Sequence, residues 1–360
     1  MELRKNTLIW LNSLGISNTN LTNLDLILEG IENIYSLSET YLRKIGLLND
    51  PIISRIISAD YRSDIDSYKK LLDKNGINVL TVYDKNYPKA LKQIPDKPMI
   101  IYTKGRPIQD EEVKIAIVGS RKVSSYGIWA TEKFTKELTD LGITIVSGLA
   151  LGVDSKAHSM TIQNKGNTIG VLGNGLGKVY PRENELLYKS VVNNGTLVSE
   201  FPYFSSPKAH NFPARNRIIS GLSHAVVVIE AEMRSGTLIT ARHALDQGKE
   251  VFALPGNIDS LTSEGTNLLI KDGAKPLLHI DDILIEIALL KQLSSQNKRT
   301  EFELDYQDKK VLKILSEGKL QVDSISLMSG INKEDLFKIL ENLLENEFVH
   351  VDNNGYYYKI

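Results

Sequence analysis

From Val113 onward, short apolar runs rich in β-branched residues alternate with longer segments of mixed polarity. The runs are Ile115–Val118, Thr144–Val146, Thr168–Leu172, Thr196–Ser199, Ala225–Ile229 and Glu250–Ala253. The segments between them, Tyr126–Leu141, Asp154–Lys165, Glu183–Val192, Asn216–Leu222 and Leu238–Gln247, read as helices. Strands that are apolar on both faces and separated by helices predict a parallel sheet covered on both sides, a doubly wound α/β fold. Ligands of such sheets sit outside the carboxyl ends of the strands. The turns that follow the strands are therefore where chemistry is expected.

The flanks follow other patterns. Residues 1–66 predict a small helical domain: Leu8–Leu14 closed by Gly15, Leu24–Ile34, Ser38–Ile45 between a serine cap and Gly46, and a helix opened by Pro51. Its segments LNSLGIS and LRKIGLL are similar to pieces of helix-hairpin-helix or sterile-alpha-motif (SAM) domains. The sheet region, 67–290, is entered through a helix (Tyr68–Lys74), a strand (Asn78–Val82) and a path turned by prolines 88, 95 and 98 into a strand at Met99–Tyr102. Residues 291–305 have the polar composition of a linker. Residues 306–360 predict helices at Lys309–Ser316, Val322–Met328 and Lys333–Glu345, then a hairpin turning at Asp352-Asn353-Asn354-Gly355, the layout of a winged helix.

Composition narrows the function classes. With 42% hydrophobic and 24% charged residues in 360, the chain has the make-up of a globular protein. No apolar run approaches bilayer length, and MELRKNTLIWLNSLG lacks a signal-peptide core. A cytoplasmic protein without membrane association is expected. The absence of cysteine excludes disulfides and thiolate metal sites, and the six histidines show no HExxH or HxH spacing, so no metal is expected. Net charge is −1, so affinity for a polyanion has to come from local clusters. Val113–Ile283 carries 18 basic against 16 acidic residues, and Tyr306–Ile360 carries 7 against 9. No P-loop and no GxSxG elbow occurs.

Four segments offer anion-binding equipment at the strand ends. HNFPARNRIISG supplies Asn211, Phe212, Arg215, Asn216 and Arg217: guanidiniums to fork onto phosphate and an aromatic face for stacking. IAIVGSRKVSSYG supplies Gly119, Ser120, Arg121 and Lys122, the glycine allowing backbone to approach a phosphate. IVSGLALGVDSKAH supplies Ser147 and Gly148, with Asp154 as a helix cap; its His158 is assigned no catalytic role. RSGTLIT places Ser235, Gly236 and Thr237 at a helix N-terminus, an anion site by virtue of its amides and dipole. A further loop, VLGNGLGKVYPRENELLY, has GxGxG rather than GxGxxG spacing and lacks the acid expected about twenty residues on, so it is a weak dinucleotide site. It does present Lys178 and Arg182. Nothing forms a nucleophile, acid and base set, and no cofactor is expected.

These blocks, with YPKALKQIPDKPMIIYTKG before them and VFALPGNIDSLTSEGTNLLIKDGA after, resemble the DNA-processing protein A family (DprA/Smf) in unbroken order from Tyr87 to Ala274. The resemblance implies an extended Rossmann-like domain that binds single-stranded DNA and forms a homodimer. It also implies loading of a RecA-type recombinase onto strands exposed in recombination or taken up in natural transformation, with the strand shared with or taken from single-strand-binding protein. Carried over by position, the strand pocket would use the Gly119-Ser120-Arg121 turn, Ser147, Gly148, Arg182, the NFPARNR segment and Ser235-Gly236-Thr237. The dimer and recombinase surface would lie near Leu245 and Leu268–Ile270. Asn174 and Asn257 depart from the family's usual cysteine and serine.

The helix Lys333–Glu345 holds two lysines against four acids, the wrong balance for phosphate. It is expected to bind protein or its own chain. The enzymatic alternative is a nucleotide-binding or nucleoside-monophosphate-hydrolysing protein. That related family carries a catalytic glutamate in a PGGxGTxxE turn, where this chain has MRSGTLIT and Thr240; Glu230 and Glu232 lie nearby without a partner at a convincing spacing. A binding protein rather than an enzyme is expected.

Overall fold

The computed structural model describes residues 1–58, 61–286, 305–316, 318–345, 348–352 and 355–359. The chain divides into two compact units, Met1–Ile287 and Ala288–Ile360. The first begins with helices α1 (Glu2–Ser13), α2 (Asn18–Ile27), α3 (Glu39–Ile45), α4 (Asp50–Ser58) and α5 (Tyr61–Lys74). Then come β1 (Asn78–Thr81), α6 (Lys89–Gln93) and β2 (Ile100–Gly105). The alternating region follows as β3 (Lys114–Val118), α7 (Ser125–Asp140), β4 (Thr144–Ser147), α8 (Val153–Gln163), β5 (Thr168–Val171), α9 (Glu185–Asn194) and β6 (Gly195–Ser199). It continues as α10 (Asn211–Leu222), β7 (Ala225–Val228), α11 (Gly236–Asp246), β8 (Glu250–Ala253), α12 (Leu261–Lys271), β9 (Lys275–Pro276) and α13 (Ile280–Glu286).

The nine strands form one sheet in the order β1-β2-β6-β5-β4-β3-β7-β8-β9. Every pairing from β6 to β9 is parallel, for example Ile115 against Ile145 on one side and against Ala225 on the other. Every residue of β3 through β7 is buried, as a sheet covered on both faces requires. The order runs outward from β3 through β4, β5 and β6, then restarts beside β3 with β7. Right-handed crossovers therefore place the helices of the two halves on opposite faces. Ile218 and Ile219 of α10 and Ala241 and Ala244 of α11 share a core with Ala116, Val118, Val226 and Val228. The point where the order reverses, between β3 and β7, is where such a fold opens a crevice.

One feature extends the sequence pattern and another departs from it. The entry segment is part of the sheet: β1 pairs antiparallel with β2, and β2 antiparallel with β6. The helix expected to start at Asn216 starts five residues earlier, at Asn211. Pro213 falls in the first turn, where amide protons have no intrahelical partner, so it does not break the helix.

The boundary expected at residue 66 lies inside the first unit. Leu8, Leu11, Leu21 and Ile31 of the N-terminal helices belong to one apolar core with Met99, Ile100 and Tyr102 of the entry strand and with Leu197 of β6. Tyr102 donates a 2.6 Å hydrogen bond to Asn12, and the amide of Met99 donates to Asn18 at 2.7 Å.

In the second unit, helices Tyr306–Leu315, Val322–Ser329 and Lys333–Glu345 accompany a three-stranded antiparallel sheet. Its strands β10 (Leu320–Gln321), β11 (Val349–Val351) and β12 (Tyr356–Lys359) are ordered β10-β12-β11. Of the linker expected at 291–305, only Asp305 lies among the described residues, where it caps the Tyr306–Leu315 helix in a reciprocal capping box with Asp308. Asn353 and Asn354 of the expected turn lie outside them. No helix among the described residues is long and apolar enough to cross a membrane.

Candidate nucleic-acid interface

A groove of about 660 Å³ opens at the β3–β7 switch point. Its floor is the turn after β3, Gly119 to Lys122; one wall is the first half of α10 and another the N-terminus of α11. Thr237 ties floor to wall, its hydroxyl donating to the Gly119 carbonyl at 3.0 Å. Ser235 caps α11, accepting from the Thr237 amide at 3.2 Å. At Gly236 no atom comes within 4 Å of where a Cβ would stand, so the positive end of α11 faces open space.

Ten of the residues expected at the site line this groove: Gly119, Ser120, Arg121, Lys122, Phe212, Arg215, Asn216, Ser235, Gly236 and Thr237. Gly148 lines a smaller recess that shares Arg121, Phe212 and Arg215 with it. Lys178 and Arg182 are exposed but line neither space; they flank Tyr180, which lines both. Asn211 is buried in the first turn of α10, and the Ser147 hydroxyl is consumed by the Ile117 carbonyl at 2.6 Å.

The two α10 arginines part company. Arg215, 4% exposed, reaches under the groove and donates to the carbonyls of Gly148, at 2.6 Å, and Val171. Burial, with the Arg121 charge adding to it, lowers its pKa to about 10 against the opposing pull of Asp154, so it stays charged at neutral pH. The same burial raises the carboxyl of Asp154, with Arg215 pulling the other way.

Arg217 does not reach the groove, contrary to its expected role as a phosphate ligand. It forks onto Glu200 at 2.6 and 2.8 Å and also bonds Asp96. Burial opposes its charge, but the Glu200 hydrogen bonds outweigh it and its pKa is raised. Two residues along a helix is a rotation of about 200°, so a segment that looked like one basic patch has two faces.

Arg121 and Lys122 are the exposed cations that line the groove. Among the described residues neither pairs with a carboxylate. The Arg121 guanidinium lies 5.8 Å from the centre of the Phe212 ring, and Tyr180 packs on that ring at 5.3 Å with an exposure of 41%. The sequence reading missed Tyr180; its position between Lys178 and Arg182 was the available signal. The acids Asp154 and Glu232 also line the groove.

The glycines serve packing more than ligand approach. A Cβ on Gly119 would stand 2.6 Å from Val153, and one on Gly148 2.7 Å from the Arg215 guanidinium. In the GxGxG loop, Gly173 makes room for Phe212, and Gly175 and Gly177 for Tyr203. The glycines of that loop thus make room for the aromatic side chains beside the groove.

Of the groups considered for the enzymatic alternative, Thr240 is buried and Glu230 is occupied. The Glu230 carboxylate accepts from the Ser124 amide at 3.0 Å, from the Ser124 hydroxyl and from Thr262 at 3.2 Å. A larger cleft, about 830 Å³, lies between α1, α5 and β1, away from the strand ends; there Lys5 pairs with Asp84 and Lys69 bonds Asn6. Leu245 is exposed on α11, while Leu268 and Ile270 of α12 are half-buried.

The fold is thus a doubly wound α/β sheet with unpaired cations and aromatic rings at its switch point. The family model described as DNA recombination-mediator protein A matches residues 78–288, and the chain belongs to that family. It is 42% identical over 215 residues to DNA processing protein DprA of Bacillus subtilis, a match covering 59% of this chain and 72% of that protein. The X-ray structure of DNA processing protein A from Streptococcus pneumoniae is similar at a TM-score of 0.67 and 34% identity, over 77% of this chain and 96% of that one. A structure of DNA processing protein A from Helicobacter pylori, described for its single-stranded DNA binding mode, is similar at a TM-score of 0.53 and 31% identity, over 60% and 96%.

Proposed function

We propose that the chain binds single-stranded DNA in the β3–β7 groove and acts as a recombination mediator. Phosphates lie against Arg121, Lys122 and the N-terminus of α11, and bases against Phe212 and Tyr180. Buried Arg215 sets a positive potential beneath them. The observation that carries this reading is the pair of unpaired cations, Arg121 and Lys122, beside an aromatic wall at the switch point. Such contacts go to backbone and to base faces, so binding is salt-dependent and nearly indifferent to sequence. The Helicobacter pylori relative supports the choice of ligand.

The wider role rests on family membership. In it, the protein acts in the cytoplasm as a homodimer, meeting a RecA-type recombinase through the surface around Leu245, Leu268 and Ile270. It loads that recombinase on strands exposed in recombination or imported in natural transformation, beside single-strand-binding protein. The second unit is read as a winged helix whose acidic Lys333–Glu345 helix takes a protein partner.

The test is fluorescence anisotropy of labelled oligo-dT and of the matching duplex at stepped salt, with light scattering for stoichiometry. Tight, salt-sensitive, single-strand-preferring binding that free AMP or ATP does not displace is expected. Displacement by a mononucleotide, or release of adenine from AMP, would replace this reading with the nucleotide-binding or hydrolytic one.

A further inference from the structure

Outside the groove, the first two turns of α7 expose an aromatic pair. Tyr126 is 45% and Trp129 53% exposed, their rings stacked at 5.9 Å with planes 22° apart. Lys133 follows one turn on, its ammonium 5.6 Å from the Trp129 ring centre. Positions 126, 129 and 133 lie on one stripe of a helix. Single exposed aromatics are ordinary. This pair is pre-set: the Tyr126 hydroxyl donates to the Pro255 carbonyl at 3.1 Å, anchoring its ring to the loop after β8, and Trp129 rests on it.

We propose that Tyr126, Trp129 and Lys133 form a second stacking platform, on which a single strand leaving the groove lays a base and a phosphate. The proposal rests on the strand-binding reading above and extends its site. Three observations connect the platform to the groove. α7 starts directly after the floor turn, and its Ser124 cap is held by Glu230 from the end of β7. Helix side chains lean toward the N-terminus, here the groove end. Lys122 lines the groove three residues before α7, and among the described residues neither Lys122 nor Lys133 pairs with a carboxylate. Stacked rings with a free ammonium suit a base and its phosphate; a purely apolar partner would leave that ammonium desolvated.

The chain supplies its own reporter. Of its two tryptophans, Trp10 is 1% exposed in the N-terminal core, so quenching by added strand reads Trp129. The full-length protein is titrated with oligo-dT of increasing length, following fluorescence and anisotropy. Wild type and Trp129→Ala are expected to bind the shortest strands equally. Trp129→Ala is expected to bind strands long enough to reach α7 about tenfold more weakly, the loss of one stacked base. Lys133→Gln is expected to lose part of that increment, and quenching to appear only with the longer strands. Equal affinity of Trp129→Ala and wild type for long strands, or an equal loss at every length, overturns the platform. Arg121→Ala tests the groove separately, because it weakens every length. A wild-type chain that binds no strand overturns the groove reading, and the platform with it.

Discussion

Arg215 and Arg217 leave α10 on opposite sides, the first to the carbonyls of Gly148 and Val171 beneath the groove, the second to the carboxylate of Glu200 behind it. The pair therefore separates two kinds of loss. Arg217→Ala leaves Glu200 buried and unpaired, which costs about 3–5 kcal/mol. A large drop in the urea midpoint is expected, with the remaining folded protein binding strand at wild-type affinity. A stable Arg217→Ala protein that binds weakly would instead make Arg217 a ligand.

Arg121 should behave in the reverse way. It is exposed, stands against the Phe212 ring and, among the described residues, pairs with no carboxylate, so Arg121→Ala is expected to melt within about 0.5 kcal/mol of wild type. Its effect belongs to binding: affinity for oligo-dT falls, and the salt slope drops by roughly one unit, the signature of one lost phosphate contact. An unchanged slope would remove Arg121 from the strand path.

The sheet was legible in the sequence because its signal is burial on both faces, which leaves no polar alternation to confuse it. Six of its strands matched the apolar runs to within about a residue or two. The N-terminal boundary was not legible, because a core that continues from Leu21 to Leu197 leaves no mark in local composition. At the site, the segments were readable and the facing of their side chains was not. Pro213 hides the first turn of α10, and without that turn the segment gives no facing that separates Arg215 from Arg217. Tyr180 went unread because a lone aromatic in a proline loop has no periodicity to assign it.

Gly152 and Gly236 make a second contrast. Gly152 has φ +81° and ψ −127°, and a Cβ there would stand 2.2 Å from the Ser120 carbonyl. Gly152→Ala is expected to cost roughly 1–3 kcal/mol in backbone strain alone and to displace the Ser120–Arg121 turn, lowering both the melting temperature and strand affinity. Gly236→Ala meets nothing within 4 Å and should leave stability nearly unchanged. A loss of strand affinity in that variant, read by anisotropy, marks close approach of the ligand to the N-terminus of α11.

His158 should govern stability in acid. Its ring is fully buried, with Nδ1 2.7 Å from the Thr168 hydroxyl oxygen. That hydroxyl gives its proton to the Ile145 carbonyl, so Nδ1 carries the ring proton and donates it to Thr168. Protonating Nε2 would place a charge where no partner stands among the described residues, in the field of Arg215. Burial, reinforced by Arg215, lowers the pKa from 6.5 to about 3. As pH falls below 6.5 the unfolded chain takes up a proton that the folded chain refuses, so stability is lost down to about pH 3, at up to ~1.4 kcal/mol per pH unit. Asp154, whose pKa is raised by burial, acts in the opposite sense: between 3.8 and its raised value the folded state holds the extra proton and gains stability as pH falls. His158→Asn keeps an amide near the Nδ1 position and removes only the histidine contribution. Urea midpoints of wild type and variant should run parallel above pH 6.5, and wild type should fall faster below it. Parallel curves throughout would mean that the folded protein protonates His158 as readily as the unfolded chain does.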